Sequence, residues 1–206
     1  MPVNLIQLLY TLKDSAKDSD EVEFFGHCVA NLKNSRSQNF QDIWALYENQ
    51  FMAGGYFVEF GATNGFDGSN TYLLEKNHFW SGIVAEPNPV WHEELQKNRS
   101  NLRTDIVTDC VYTETGKELD FLAVKDADLS TIKGFGTDDE HTAKREDAET
   151  IKVKTISLVD MLDEYLAPEI INYMSVDTEG SEYDILKAYF EHERSKDYII
   201  KCITVE

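Results

Sequence analysis

Apolar positions along the chain change spacing at about residue 56. Before it, Leu5, Leu8, Leu9 and Leu12 recur at i, i+3, i+4 and i+7, the spacing of one helix face. A polar break over Lys13–Asp20 follows. Phe24, Phe25, Cys28, Val29 and Leu32 then make a second stripe, and Ile43, Trp44, Leu46 and Tyr47 a third. This pattern predicts a helical N-terminal extension over residues 1–36, ahead of a main domain over 37–206. From Tyr56 onward, short β-rich runs alternate with helical ones: Tyr56–Phe60, Thr71–Lys76, Gly82–Ala85, Val90–Lys97 and Asp105–Val107. Two more apolar runs, Tyr173–Val176 and Tyr198–Val205, flank a helical pattern at Glu182–Phe190. Strands alternating with helices predict an α/β domain with a doubly wound, mostly parallel sheet. Between the two groups lies a polar loop at about 125–150. A loop this long in a compact domain is more often functional than incidental, and Ser130, Thr131 and Gly134-Phe135-Gly136 are candidates for a substrate lid.

The clearest local signal is Phe57-Val58-Glu59-Phe60-Gly61-Ala62-Thr63-Asn64-Gly65, a hydrophobic strand running into a glycine-containing turn and then a helix start near Ser69 or Asn70. Ligands of open α/β sheets bind at the carboxyl ends of strands, where glycine lets backbone come close to them. About twenty residues on, the second strand ends at Glu86, followed by Pro87, at the distance where an acidic side chain accepts hydrogen bonds from ribose hydroxyls. A dinucleotide needs the middle glycine of GxGxxG, and this turn has Thr63 there, with Glu59 two residues before the first glycine. A carboxylate at Glu59 repels a pyrophosphate and suits a cationic amino-acid group, so the pattern fits S-adenosylmethionine better than NAD.

Charge and cysteine content narrow the class further. The 206 residues carry 19 Lys and Arg against 38 Asp and Glu, a net charge of −19. That argues against a nucleic-acid partner, which needs a basic surface. No apolar run approaches the roughly 18–20 residues that span a bilayer, and the Met1-Pro2 start lacks signal-peptide features. Three widely spaced cysteines, Cys28, Cys110 and Cys202, form neither a disulfide framework nor a zinc pattern. The expectation is a cytoplasmic protein, without a membrane or nucleic-acid partner.

These residues resemble the FkbM-type S-adenosylmethionine-dependent methyltransferases. The resemblance rests on Ser37-Gln38-Asn39-Phe40-Gln41-Asp42, on the strand–turn segment at 57–65, and on Ser69-Asn70-Thr71-Tyr72-Leu73-Leu74-Glu75. It continues with Trp80-Ser81-Gly82-Ile83-Val84-Ala85-Glu86-Pro87-Asn88-Pro89 and with Val176-Asp177-Thr178-Glu179-Gly180-Ser181-Glu182. It implies a Rossmann-like fold of the class I methyltransferase type, acting on a hydroxyl of a carbohydrate or other small natural product. By position, Glu59, Gly61, Ala62, Asn64 and Gly65 would hold the methionine part of the cofactor and Glu86 its ribose. Ser69 and Pro87 belong to the same set. Asp109 and Cys110 follow the third strand, near the adenine, and Asp177 ends the fourth, beside the transferred methyl group. Gln38, Gln41 and Asp42 would close one side of the pocket. Relatives typically carry further strands after the position of Glu206, so the sheet is expected to lack its last strands here.

Transfer to an alcohol also needs a base within hydrogen-bond reach of the hydroxyl. Asp177 is the first candidate, and His141, in the polar loop, the second. Glu179 could share the role of Asp177, whereas Glu182 suits the first turn of a helix. A magnesium site from Asp109, Asp177 and Glu179 would use suitable oxygen ligands, but nothing in their spacing requires it, and no metal is expected. Cys110 reads as a buried small residue, having no basic neighbour to activate it. Competing readings are a cofactor-binding relative that is catalytically incomplete and a nicotinamide-dependent oxidoreductase. The run Tyr198–Val205, taken as one long edge strand, invites pairing between copies, so a homo-oligomer is expected through it.

Overall fold

The computed structural model describes residues 11, 14–99, 103–124, 130–135 and 148–206. The first leucine stripe and His141 lie outside these residues. Two helices precede the sheet, α1 (Ser19–Asn31) and α2 (Gln41–Glu48). The Asp18 carboxylate caps α1 by accepting the amides of Asp20 and Glu21, each at 3.0 Å. Then come β1 (Tyr56–Phe60), α3 (Tyr72–His78), β2 (Ser81–Ala85), α4 (His92–Asn98) and β3 (Thr104–Val107). These five follow the expected alternation to within a residue or two at most ends.

The main sheet has five strands in the order β11-β9-β1-β2-β3, every pair parallel, with β9 at Tyr173–Val176 and β11 at Ile203–Val205. Side chains of β1 alternate between two cores. Phe57 packs with Leu46, Leu73 and Leu95 from α2, α3 and α4, while Val58 and Phe60 pack on the other face. There they meet Met161 and Leu162 of α5 (Leu158–Glu164) and Ile185 of α6 (Glu182–Glu191). A sheet covered on both faces has nearly continuous apolar strands, and that is why β1, β2 and β9 were legible in the sequence. Strand order turns back between β1 and β9, which opens a crevice at their carboxyl ends.

A second sheet, in the order β4-β7-β5-β6, was not anticipated. It consists of β4 (Cys110–Tyr112), β5 (Glu118–Ala123), β6 (Thr131–Ile132) and β7 (Glu149–Ser157). β4 runs parallel to β7, and β5 pairs antiparallel with both β7 and β6. The segment expected to be loop at 125–150 therefore contains a strand and the start of another.

The run Tyr198–Val205 is not one strand. Its first part, β10 (Ile199–Ile200), pairs with β8 (Ile170–Ile171), and its second part is β11, beside β9. The break follows its partner, because Asn172 separates β8 from β9. The Asn172 side-chain oxygen accepts the Tyr56 amide at 3.0 Å, and its side chain donates to Asn49 at 3.0 Å. Lys201 and Cys202 step across this point, with the Cys202 thiol donating to the Asn172 carbonyl at 3.1 Å. The β11 edge of the main sheet is thus three residues long.

Candidate active site

A cavity of about 780 Å³ opens at the carboxyl ends of β1, β2, β9 and β11, and Cys110, Val111, Phe121 and Ile132 of the second sheet line its other side. Its size falls within the usual range for small-molecule sites. The glycine turn borders it. Gly61 has φ +84°, and a Cβ there would lie 1.6 Å from the Asp177 carbonyl oxygen. Glycine is therefore required twice over, by conformation and by the close approach of two strand ends. The amides of Gly61 and Ala62 both donate to the Ala85 carbonyl, at 3.0 and 3.1 Å, which fixes the turn to β2. Gly61→Ala is expected to cost on the order of 3 kcal/mol, roughly 6–12 °C in melting temperature for a chain of this size. A thermal melt indistinguishable from that of the unaltered protein would show that the turn does not pack against Asp177.

Beneath the turn lies a charge cluster that the sequence did not signal. Glu59 is 4% exposed, and its carboxylate accepts the Asn70 amide at 2.7 Å and the Thr71 hydroxyl at 2.5 Å. The Ser69 hydroxyl donates to the same carboxylate, at 3.1 and 3.2 Å from its two oxygens. Arg99, 1% exposed, places one guanidinium nitrogen 3.0 Å from Glu59 and the other 2.6 Å from Glu75. The negative charge at Glu59 that sequence reasoning assigned to a ligand cation is thus paired with Arg99. Its role in this geometry is to clamp the Ser69–Thr71 turn, where α3 begins, to the end of β1.

Glu86 is buried at the end of β2. One oxygen accepts the Thr63 amide at 2.8 Å and the other the Asn88 amide at 2.7 Å, so backbone sets the direction of the carboxylate. Asp177 ends β9. Burial, followed by the charges of Glu206, Glu179, Glu182 and Glu59, raises its pKa from 3.8 to about 7. Glu182 accepts the amides of Thr178 and Gly180, at 2.8 and 2.9 Å, and holds the start of α6, the structural role its position suggests. Burial, then Glu86 and Asp109, pushes the Cys110 thiol up to about 12, so it is not poised as a nucleophile.

The cavity brings together Gln38, Glu59, Gly61, Ala62, Ser69, Glu86, Pro87, Cys110, Asp177 and Glu179. The remaining candidates are placed elsewhere. Asn64 folds its own turn, its side-chain oxygen accepting the amides of Phe66 and Asp67 at 3.0 and 2.9 Å. Gly65, at φ +72°, makes room for Leu95 and Arg99, whose atoms would lie 2.5 and 2.9 Å from a Cβ. Asp42 is fully buried and accepts the Ser35 and Ser37 hydroxyls at 2.8 and 2.7 Å, organising the segment that leads into α2. Gln41 donates to the side chain of Glu206, which itself lines the cavity. Asp109 sits between β3 and β4, outside the lining. Among the described residues no group of three His, Cys, Asp or Glu is placed to hold a metal ion.

Sequence reasoning missed Asn70, Ser175 and Glu206 as lining residues, and Thr131, a lid candidate, stands next to the lining rather than in it. The Thr131 hydroxyl donates to the Glu179 carbonyl at 2.8 Å and so ties the second sheet to the turn after β9. No helix among the described residues is long and apolar enough to cross a membrane. Comparison with curated proteins gives no match. A family model described as the methyltransferase FkbM domain matches residues 59–206, a span that takes in both sheets from the end of β1 onward and every strand end at the cavity. The chain belongs to the FkbM methyltransferase family.

Proposed function

We propose that this methyltransferase uses S-adenosylmethionine, on a Rossmann-like fold, to methylate a hydroxyl of a carbohydrate or other small natural-product acceptor. The observation that carries the proposal is the charge of the cavity. Apart from Glu59, whose charge Arg99 balances, its described lining holds six carboxylates, those of Asp67, Glu86, Asp177, Glu179, Glu182 and Glu206, and no Lys, Arg or His. A nicotinamide dinucleotide would bring its pyrophosphate into this field and be repelled, whereas a ligand with a sulfonium and an ammonium would be attracted. The donor set therefore fits the cofactor that the family implies.

When bound, that cofactor supplies a methyl group on a positively charged sulfur, which the acceptor oxygen takes while the sulfur keeps the bonding pair. Glu86 would hold the ribose hydroxyls with a carboxylate already aimed by two amides. The turn at Gly61 and Ala62, clamped from below by Glu59 and Arg99, would carry the methionine part. Asp177 would accept the hydroxyl proton. Its pKa of about 7 gives it a proton affinity near neutral pH, where a general base works best. Gln38 and Glu179 would border the acceptor, and much of the rate would come from holding its oxygen in line with the methyl carbon. A cytoplasmic location belongs to the same proposal, supported by three free thiols, all buried. The test is incubation with methyl-labelled S-adenosylmethionine and a panel of hydroxylated acceptors. Label appearing as an ether in a product supports O-methylation; label on nitrogen or carbon would contradict it.

A further inference from the structure

At the β9 and β11 end of the cavity one buried polar atom has no partner. Asn70 is 4% exposed, and its side-chain nitrogen donates to the Ser175 hydroxyl at 2.9 Å and to Glu206 at 3.2 Å. The carboxylate of Glu206 can only accept, so it fixes which end of the amide faces it. The Asn70 side-chain oxygen is then left buried with nothing to accept from, and a buried acceptor in that state calls for a donor. Asp177 and Glu206 stand at the same end, near enough for the charge of Glu206 to be the largest electrostatic influence on Asp177. Two carboxylates and an unpartnered amide oxygen can all be served by one group that carries positive charge and only donors. An ammonium is such a group. A phosphate or a carboxylate, which offers acceptors, is not.

Resting on the methyltransferase function proposed above, we infer that the acceptor carries an ammonium group close to the hydroxyl that is methylated, as in an amino sugar or amino alcohol. S-adenosylmethionine has one net positive charge, from a sulfonium, an ammonium and a carboxylate. The carboxylates that line the cavity outnumber it, which leaves negative charge for the second ligand. The same charges act against phosphorylated and carboxylated acceptors.

Calorimetric titration tests this with glucosamine, glucose and glucose 6-phosphate at neutral pH, each with and without S-adenosylhomocysteine. Glucosamine is expected to bind roughly tenfold or more tightly than glucose, as one charge-assisted hydrogen bond would give, and glucose 6-phosphate more weakly than either. Glu206→Gln should remove most of the glucosamine preference and leave S-adenosylhomocysteine affinity nearly unchanged. Equal affinity for glucosamine and glucose, including no measurable binding of either, would overturn the inference. So would a Glu206→Gln variant that loses S-adenosylhomocysteine affinity but keeps its sugar preference, since that assigns these groups to the cofactor. Absence of S-adenosylhomocysteine binding with the glucosamine preference intact would defeat the cofactor assignment alone.

Discussion

Asp177→Asn is expected to lose turnover roughly a hundred- to ten-thousand-fold, the usual worth of a positioned general base, while still binding S-adenosylhomocysteine. The two side chains have nearly the same shape, so the contact between Gly61 and the Asp177 backbone survives the change. The variant removes the negative charge of the carboxyl and with it the ability to take a proton. It has an independent signature in stability. The folded-state pKa of about 7 lies above the ordinary 3.8, so the folded protein holds the proton more tightly than the unfolded chain does. This group's contribution to stability is therefore fully present below about pH 4 and is lost as pH rises through 7. Asn cannot ionise. The variant should melt above the unaltered protein at pH 8, and the gap should narrow toward pH 4. Near-normal activity in Asp177→Asn would remove Asp177 as the base, and identical melting at pH 8 would show that its carboxyl is not under the strain described.

Arg99→Met should be the most damaging change to the fold itself. Arg99 joins two buried carboxylates, Glu59 and Glu75, and removing it leaves both without their main counter-charge. Breaking a buried ion pair from one side costs about 3–5 kcal/mol, a large share of the roughly 5–15 kcal/mol that holds a typical domain together. Urea denaturation would read this as a lower midpoint with an unchanged slope. Adding Glu59→Gln and Glu75→Gln to the same chain should recover much of the loss, because the penalty lies in stranded charge more than in lost packing. If the triple variant is no more stable than Arg99→Met alone, the cluster acts through shape and the electrostatic account is wrong.

Most of the main sheet could be read from the sequence because its strands are buried on both faces and so form mostly apolar runs, such as Phe57–Phe60 and Tyr173–Val176, broken only by Glu59 and Ser175. The second sheet gave a weaker signal. β7 alternates Ile151, Val153 and Thr155 on its inner side with Lys152 and Lys154 facing solvent, a period of two that identifies a half-buried strand. That pattern was present and could have been found, but the adjacent polar segment masked it. In the site, Gly61, Glu86 and Asp177 were legible because they end strands. Arg99 was not. It lies 40 residues from Glu59 and 24 from Glu75 in sequence, at the end of a helix where a basic residue is ordinary. The pairing of Asn70 with Glu206 spans 136 residues, and no local pattern records such a contact. Asn64 and Asp42 carried a polar side chain in the expected neighbourhood, but each satisfies nearby backbone or hydroxyl groups and stays out of the cavity.

The central claim is that a cavity lined by carboxylates selects a cofactor that carries an ammonium group over one that carries a pyrophosphate. Side-by-side calorimetric titration of the unaltered protein with S-adenosylhomocysteine and with NAD tests it most directly. S-adenosylhomocysteine keeps the ammonium and the adenosine of the proposed cofactor and is expected to saturate a single site, while NAD gives no binding heat. Saturable binding of NAD with none of S-adenosylhomocysteine would contradict the account.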